Sequence, residues 1–147
     1  MPTIFTIGYQ QATQPAVLSA LRDAGVELLA DIRARPLSRK PGFSKSNLKA
    51  AVEEAGMEYR HFRDVGTPPE GREAAKKGDK ATLARVYAGQ LELPEALAAM
   101  AELRQLALEK RTALLCYCRE ADKCHRSLLI AELFPDFTRL DLEPAML

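Results

Sequence analysis

The chain has 147 residues, of which 47% are hydrophobic and 28% charged, with a formal net charge of +1. That is the composition of an ordinary folded domain, neither disordered nor fibrous, and it argues against a broadly basic nucleic-acid-coating surface while leaving room for a local basic patch. The start Met-Pro-Thr-Ile-Phe-Thr-Ile-Gly lacks a basic stretch followed by a cleavable apolar segment, and no apolar run is long enough for a membrane span, so a cytoplasmic chain with reduced thiols is expected.

Pro2 to Gly8 is β-rich and stops at Gly8-Tyr9, which predicts a first strand ending in a close-approach turn. Thr13 as cap, Pro15 in the first turn and Val17, Leu18, Leu21 and Ala24 at 3.6 spacing predict a helix closed by Gly25. Glu27 to Arg33 reads as a second strand, followed by the Pro/Gly-punctuated loop Ala34 to Phe43. Ser44 then caps a helix with Leu48, Ala51, Val52 and Ala55 on its apolar face, closed by Gly56. Met57 to Phe62 alternates as a short or edge strand does. Asp64 to Lys80, rich in Pro, Gly and charge, reads as the least ordered stretch, a surface excursion or a lid. A helix over Ala81 to Ala88 ending at Gly89, a longer helix from Pro94 to Leu108, a strand Thr112 to Cys118, a helix from His125 to Phe134 and a last strand Thr138 to Leu142 complete the chain.

Strands alternating with helices predict a single α/β domain over 1–147, with a mostly parallel sheet of about five strands and helices on both faces. Ligands of such sheets sit beyond the carboxyl ends of the strands. Those ends carry Gly8-Tyr9, Asp31-Ile32-Arg33, His61 and Cys116-Tyr117-Cys118.

Between Arg33 and Lys49 there are six basic residues and no acidic one. Arg33, Arg35 and Arg39 offer planar bidentate donors suited to phosphate or carboxylate, and Ser44 at a helix start adds a favourable dipole, so this loop is a candidate anion clamp. The plainer alternative is an ordinary arginine-bearing surface. Asp31, late in an apolar strand, either pairs with one of these arginines or serves as a base or ribose-hydroxyl acceptor. All three cysteines and one of the two histidines fall in the turn Cys116 to Arg126. Cys116, Cys118, Cys124 and His125 are four nominal zinc ligands, although adjacent Cys124 and His125 rarely reach one metal together. A second reading makes Cys124, at a helix start beside His125 and Arg126, a nucleophilic or redox thiol of lowered pKa. A third makes Cys116 an inert core thiol. Arg119 and Arg126 suit an anion under every reading. His61 is either a hydrogen-bonding residue or a proton-transfer group, and Tyr9 either packs or meets a ligand.

Thr6-Ile-Gly-Tyr9, Asp31-Ile-Arg33, Arg35-Pro36, Ser38-Arg39, Pro41-Gly42-Phe43-Ser44, Tyr59-Arg-His61 and Leu114-Leu-Cys116 with Cys124-His125-Arg126 resemble, in this order, the family known as domain of unknown function 488. The resemblance runs from Thr6 to about Leu133. It implies functional weight for Gly8, Tyr9, Arg33, Arg35, Arg39, Phe43, His61, Cys116, Cys124, His125 and Arg126. In the family an acidic residue is also usual where Cys118 stands, which counts against a metal role for Cys118. The family supplies no activity to carry over.

Three functions follow as expectations. The first is a cytoplasmic enzyme, without cofactor, acting on a nucleotide, nucleic acid or other phosphate-bearing ligand. There the anion is held by Gly8, Tyr9, Arg33, Arg35, Arg39, Ser44, Arg119 and Arg126, with Cys124, His125, His61 and Asp31 as catalytic candidates. The second is a noncatalytic nucleic-acid or nucleotide-binding module using the same patch. The third is a zinc-stabilised interaction domain.

Overall fold

In the computed structural model, which describes residues 2–146, five parallel strands form one sheet in the order β3-β2-β4-β1-β5. Met1 and Leu147, the ends of the expected domain, lie outside the described residues. The strands are β1 (Thr3–Gly8), β2 (Leu28–Asp31), β3 (Glu58–His61), β4 (Thr112–Cys116) and β5 (Thr138–Leu142). The helices are α1 (Gln14–Asp23), α2 (Lys45–Glu54), α3 (Pro69–Lys76), α4 (Lys80–Leu91), α5 (Pro94–Glu109) and α6 (His125–Leu133).

Side-chain alternation along the strands divides the core. Phe5, Ile7, Leu29, Ala113 and Leu115 pack with Val17 and Leu21 of α1 and Leu48 and Val52 of α2. Ile4, Ala30, Leu114 and Cys116 pack on the opposite face with Tyr87 of α4, Leu103 of α5 and Leu129 of α6. Cys116 therefore faces the α4–α6 layer because it lies two residues beyond Leu114. The chain leaves β1 through α1 toward one edge and leaves neighbouring β4 through α6 toward the other, on opposite faces. That reversal opens a crevice at the carboxyl ends of Gly8 and Cys116, which pair in register.

Three expectations are corrected. Asp64 to Lys80 is not a long irregular loop: a 3-10 turn at Arg63–Val65 leads into α3. Pro69 at the first helical position sets a helical φ, Ala74 and Ala75 favour the helix, and Gly78 at φ 74° takes the left-handed conformation that ends it. Nor does Gly89 end α4, which runs to Leu91 because Leu83, Tyr87 and Leu91 share one buried stripe. Strand β4 also stops at Cys116, two residues early. Among the described residues no helix is long and apolar enough to cross a membrane.

Candidate functional site

The crevice is a cleft of about 1180 Å³ whose lining includes Tyr117, Cys116, Cys118, Cys124 and His125 from the β4–α6 side and Arg35 and Arg39 from the β2–α2 loop. The glycine at the end of β1 lets the β4–α6 connection lie close against that strand. A Cβ on Gly8 would lie 1.8 Å from the Cys118 carbonyl oxygen, so only glycine lets this backbone pass. That carbonyl accepts a hydrogen bond from Arg126 Nη2, and Arg126 Nε donates to Cys124 Sγ at 3.4 Å. Cys124 is itself the N-cap of α6, accepting from the Arg126 backbone N–H at 3.5 Å. Gly8 thus holds the arginine that holds the thiol.

Burial would raise the Cys124 pKa, but hydrogen bonds from Cys116, Cys118 and His125 outweigh it and hold the thiol well below its ordinary 9.0. Cys116, whose sulfur lies 2.7 Å from that of Cys124, is driven the other way, well above 9.0, by burial first and then by its hydrogen bonds to Cys118 and Cys124. Cys118, half-buried at the rim, is pulled down by its Cys116 bond, but Cys124 and burial leave it raised to about 11. Two thiols held high and one held low share this corner.

The two histidines support the exit of β2. His125 Nε2 donates to the Ile32 carbonyl and His61 Nε2 to the Arg33 carbonyl, each at 2.7 Å. Because a carbonyl only accepts, Nε2 carries a proton in both rings, and Nδ1 is the His125 nitrogen left to face the neighbouring Cys124. His61 opens instead onto a separate shallow groove with Arg60, Arg63 and Glu102, so the structure does not bring it to the thiols.

Arg33 and Asp31 are likewise internal. The Arg33 guanidinium pairs with both Asp31 oxygens, at 2.8 Å from Nε and 2.7 Å from Nη2, while Nη1 donates to Tyr9 Oη and the Phe43 carbonyl. Tyr59 Oη adds a short hydrogen bond to Asp31. Burial works against the Arg33 charge, but Asp31 outweighs it and holds the guanidinium charged. Burial and then the Asp31 charge keep Tyr59 neutral. Tyr9 is buried, stacked on Phe43 with ring centroids 4.4 Å apart and edge-on to exposed Tyr117 at 5.4 Å. The Arg33 network therefore shapes the loop that carries Arg35 and Arg39. Ser44 closes that loop through Ser38, its Oγ accepting from the Ser38 N–H, and makes no side-chain cap on α2.

Arg35 and Arg39 stand exposed in the cleft, and no acidic side chain pairs with either among the described residues. Arg119 lines the cleft too, but its Nη2 donates to the Pro144 carbonyl and its backbone N–H to Gln10. Sequence reasoning missed Arg72 and Lys76, which reach the cleft from α3. Their four-residue spacing puts them on one helix face, a signal legible only once a helix is recognised there.

The cysteine corner is not spaced as a zinc site is. Tetrahedral thiolates at about 2.3 Å from zinc lie about 3.8 Å apart, whereas Cys116 and Cys124 stand at 2.7 Å and the His125 Nε2 is turned to a carbonyl. No group of three or more His, Cys, Asp or Glu is arranged to hold a metal among the described residues.

A doubly wound parallel α/β protein with a thiol-floored, cation-rimmed cleft at its switch point is the class that fold and site define. Within that class the chain belongs to the family described as domain of unknown function DUF488, whose sequence pattern matches residues 14–133. Neither the curated proteins nor the solved structures compared with this chain give a match.

Proposed function

We propose that this protein is a thiol enzyme acting on a phosphate-bearing ligand, with nucleotides or nucleic acid as the leading substrate class. The observation that carries the reading is the Cys124 sulfur, capped by the α6 N-terminus and the Arg126 guanidinium, on the floor of a cleft rimmed by exposed Arg35 and Arg39. Cys124 acts as the nucleophile, with His125 beside it as the proton-handling group. Arg35, Arg39, Arg72 and Lys76 hold the anion, while Arg33, Arg126, Asp31 and His61 hold the site in shape. A cytoplasmic setting belongs to the proposal, supported by three free cysteines in a chemistry that needs a reduced thiol.

The noncatalytic binding module is the second reading, favoured by exposed Tyr117 at the cleft wall, a surface on which a base can stack. One experiment separates the two. The rate of Cys124 alkylation by iodoacetamide is measured with increasing adenosine diphosphate or a short single-stranded oligonucleotide, in wild type and in the Arg35→Ala/Arg39→Ala variant. The enzyme reading expects the nucleotide to slow alkylation, with the double variant needing about tenfold more of it at an unchanged melting temperature. Binding that leaves alkylation untouched favours the module, and no affinity for either probe overturns both.

A further inference from the structure

The reading above uses Cys124 and leaves Cys116 without a task. Cys116 is buried at the end of β4, its sulfur 2.7 Å from the Cys124 sulfur, and all three cysteines are free. A disulfide bond is about 2.05 Å long, so bonding the two sulfurs requires an approach of only about 0.7 Å. The eight-residue separation is bridged by the turn through the 3-10 segment Ala121–Lys123, which already folds the two sulfurs together.

We infer that Cys124 and Cys116 form a reversible redox pair, in which Cys124 meets a hydroperoxide at the cleft floor and Cys116 resolves the product as an intramolecular disulfide. The inference shares the Cys124 thiolate with the proposed function and needs no phosphate-bearing ligand. In the first step the thiolate attacks the terminal peroxide oxygen. An S–O bond forms, the O–O bond breaks, the sulfur loses two electrons, and the alkoxide or hydroxide leaves with a proton from water. Arg126, whose Nε donates to the Cys124 sulfur from beneath, holds that sulfur in place for the attack. In the second step the Cys116 sulfur attacks the Cys124 sulfenic acid. The S–S bond forms, the S–O bond breaks, and the hydroxyl departs with the Cys116 proton as water. A dithiol reductant supplies two electrons and two protons to restore both thiols.

The split between the two sulfurs suits these roles. The peroxide-facing thiol is the one whose pKa is lowered, and the resolving thiol the one whose pKa burial raises. Cys118 is the competitor, since it too touches the cluster, but its sulfur sits at the rim near the Lys123 carbonyl.

The test treats the reduced full chain with stoichiometric hydrogen peroxide and reads intact mass and a peptide map. The expected result is a loss of about two mass units, a Cys116–Cys124 linkage, and full recovery with dithiothreitol. Cys116→Ala is expected to accumulate a dimedone-trappable sulfenic acid at Cys124, while Cys118→Ser keeps the disulfide. A linkage through Cys118, or oxidation of Cys124 to sulfinic acid without any disulfide in the wild type, overturns the inference. Because iodoacetamide reactivity of Cys124 is read on the same reduced sample, loss of the disulfide with alkylation intact contradicts this pair alone. Loss of both contradicts the thiolate itself.

Discussion

At the residue scale, the most constrained group is Asp31, fully buried and hydrogen-bonded by Arg33 and Tyr59. Removing its charge leaves the Arg33 guanidinium buried without a counter-ion, and breaking one side of such a pair costs about 3–5 kcal/mol. Asp31→Asn is therefore expected to lower the denaturation free energy by that order, read by urea unfolding, with the Cys124 alkylation rate of the folded fraction little changed. A catalytic base would show the opposite pattern, lost activity with stability kept. The sequence already contains this pair, because a carboxylate late in an apolar strand requires a partner, and Arg33 lies two residues on. What it does not contain is that the pair occupies Arg33 so fully that, of the three loop arginines, Arg35 and Arg39 are the ones left exposed in the cleft. That depends on where Tyr9 and the Phe43 carbonyl come to rest, a tertiary fact.

At the scale of elements, the site depends on how closely β1 passes the start of the β4–α6 connection. Gly8→Ala places a methyl group against the Cys118 carbonyl, a backbone atom that cannot swing aside. The variant is expected to displace Arg126 from Cys124, lowering iodoacetamide reactivity of Cys124 at neutral pH by about tenfold, the loss of roughly one charge-assisted hydrogen bond. Unchanged reactivity in a folded Gly8→Ala protein would contradict the chain of contacts from Gly8 to the thiol. Most elements were legible because each carries its own period and punctuation: Thr13 before α1, Gly56 after α2, and the apolar run of β4. The failure at α3 has a physical cause. Pro68-Pro69 and Gly71 read as breakers, yet Pro69 occupies the one helical position that lacks an N–H partner anyway, and Gly71 packs where a Cβ would meet Thr67 at 2.5 Å. The spacing of the sulfurs was not legible for a similar reason, since ligand counting along the chain carries no information about sulfur-to-sulfur distance.

At the scale of the whole molecule, the parallel sheet brings the ends of β1, β2 and β4 together, and there the Cys124 thiol, held low, stands among buried thiol and phenol groups that are held high. Cys116, Tyr59 and Tyr87 are all raised, mainly by burial, above ordinary values of 9.0 and 10.0. The unfolded chain releases these protons first as pH rises, so their stabilising contribution is complete below about pH 9 and declines above it. Cys124 runs the opposite way: its contribution is complete above 9.0 and is lost as pH falls through its lower folded value. Urea midpoints are therefore expected to fall between roughly pH 9 and pH 11, and a flat profile there would show that the tyrosines and Cys116 are open to solvent.

The central claim is that Cys124 ionises well below an ordinary thiol while Cys116 ionises well above one. Ultraviolet thiolate absorbance of the reduced protein, titrated with pH alongside Cys124→Ser, tests it most directly. The account predicts a one-sulfur step with its midpoint well below 9.0 that disappears in the Cys124→Ser variant. A first step at or above 9.0, or a low step that survives that substitution, would contradict it.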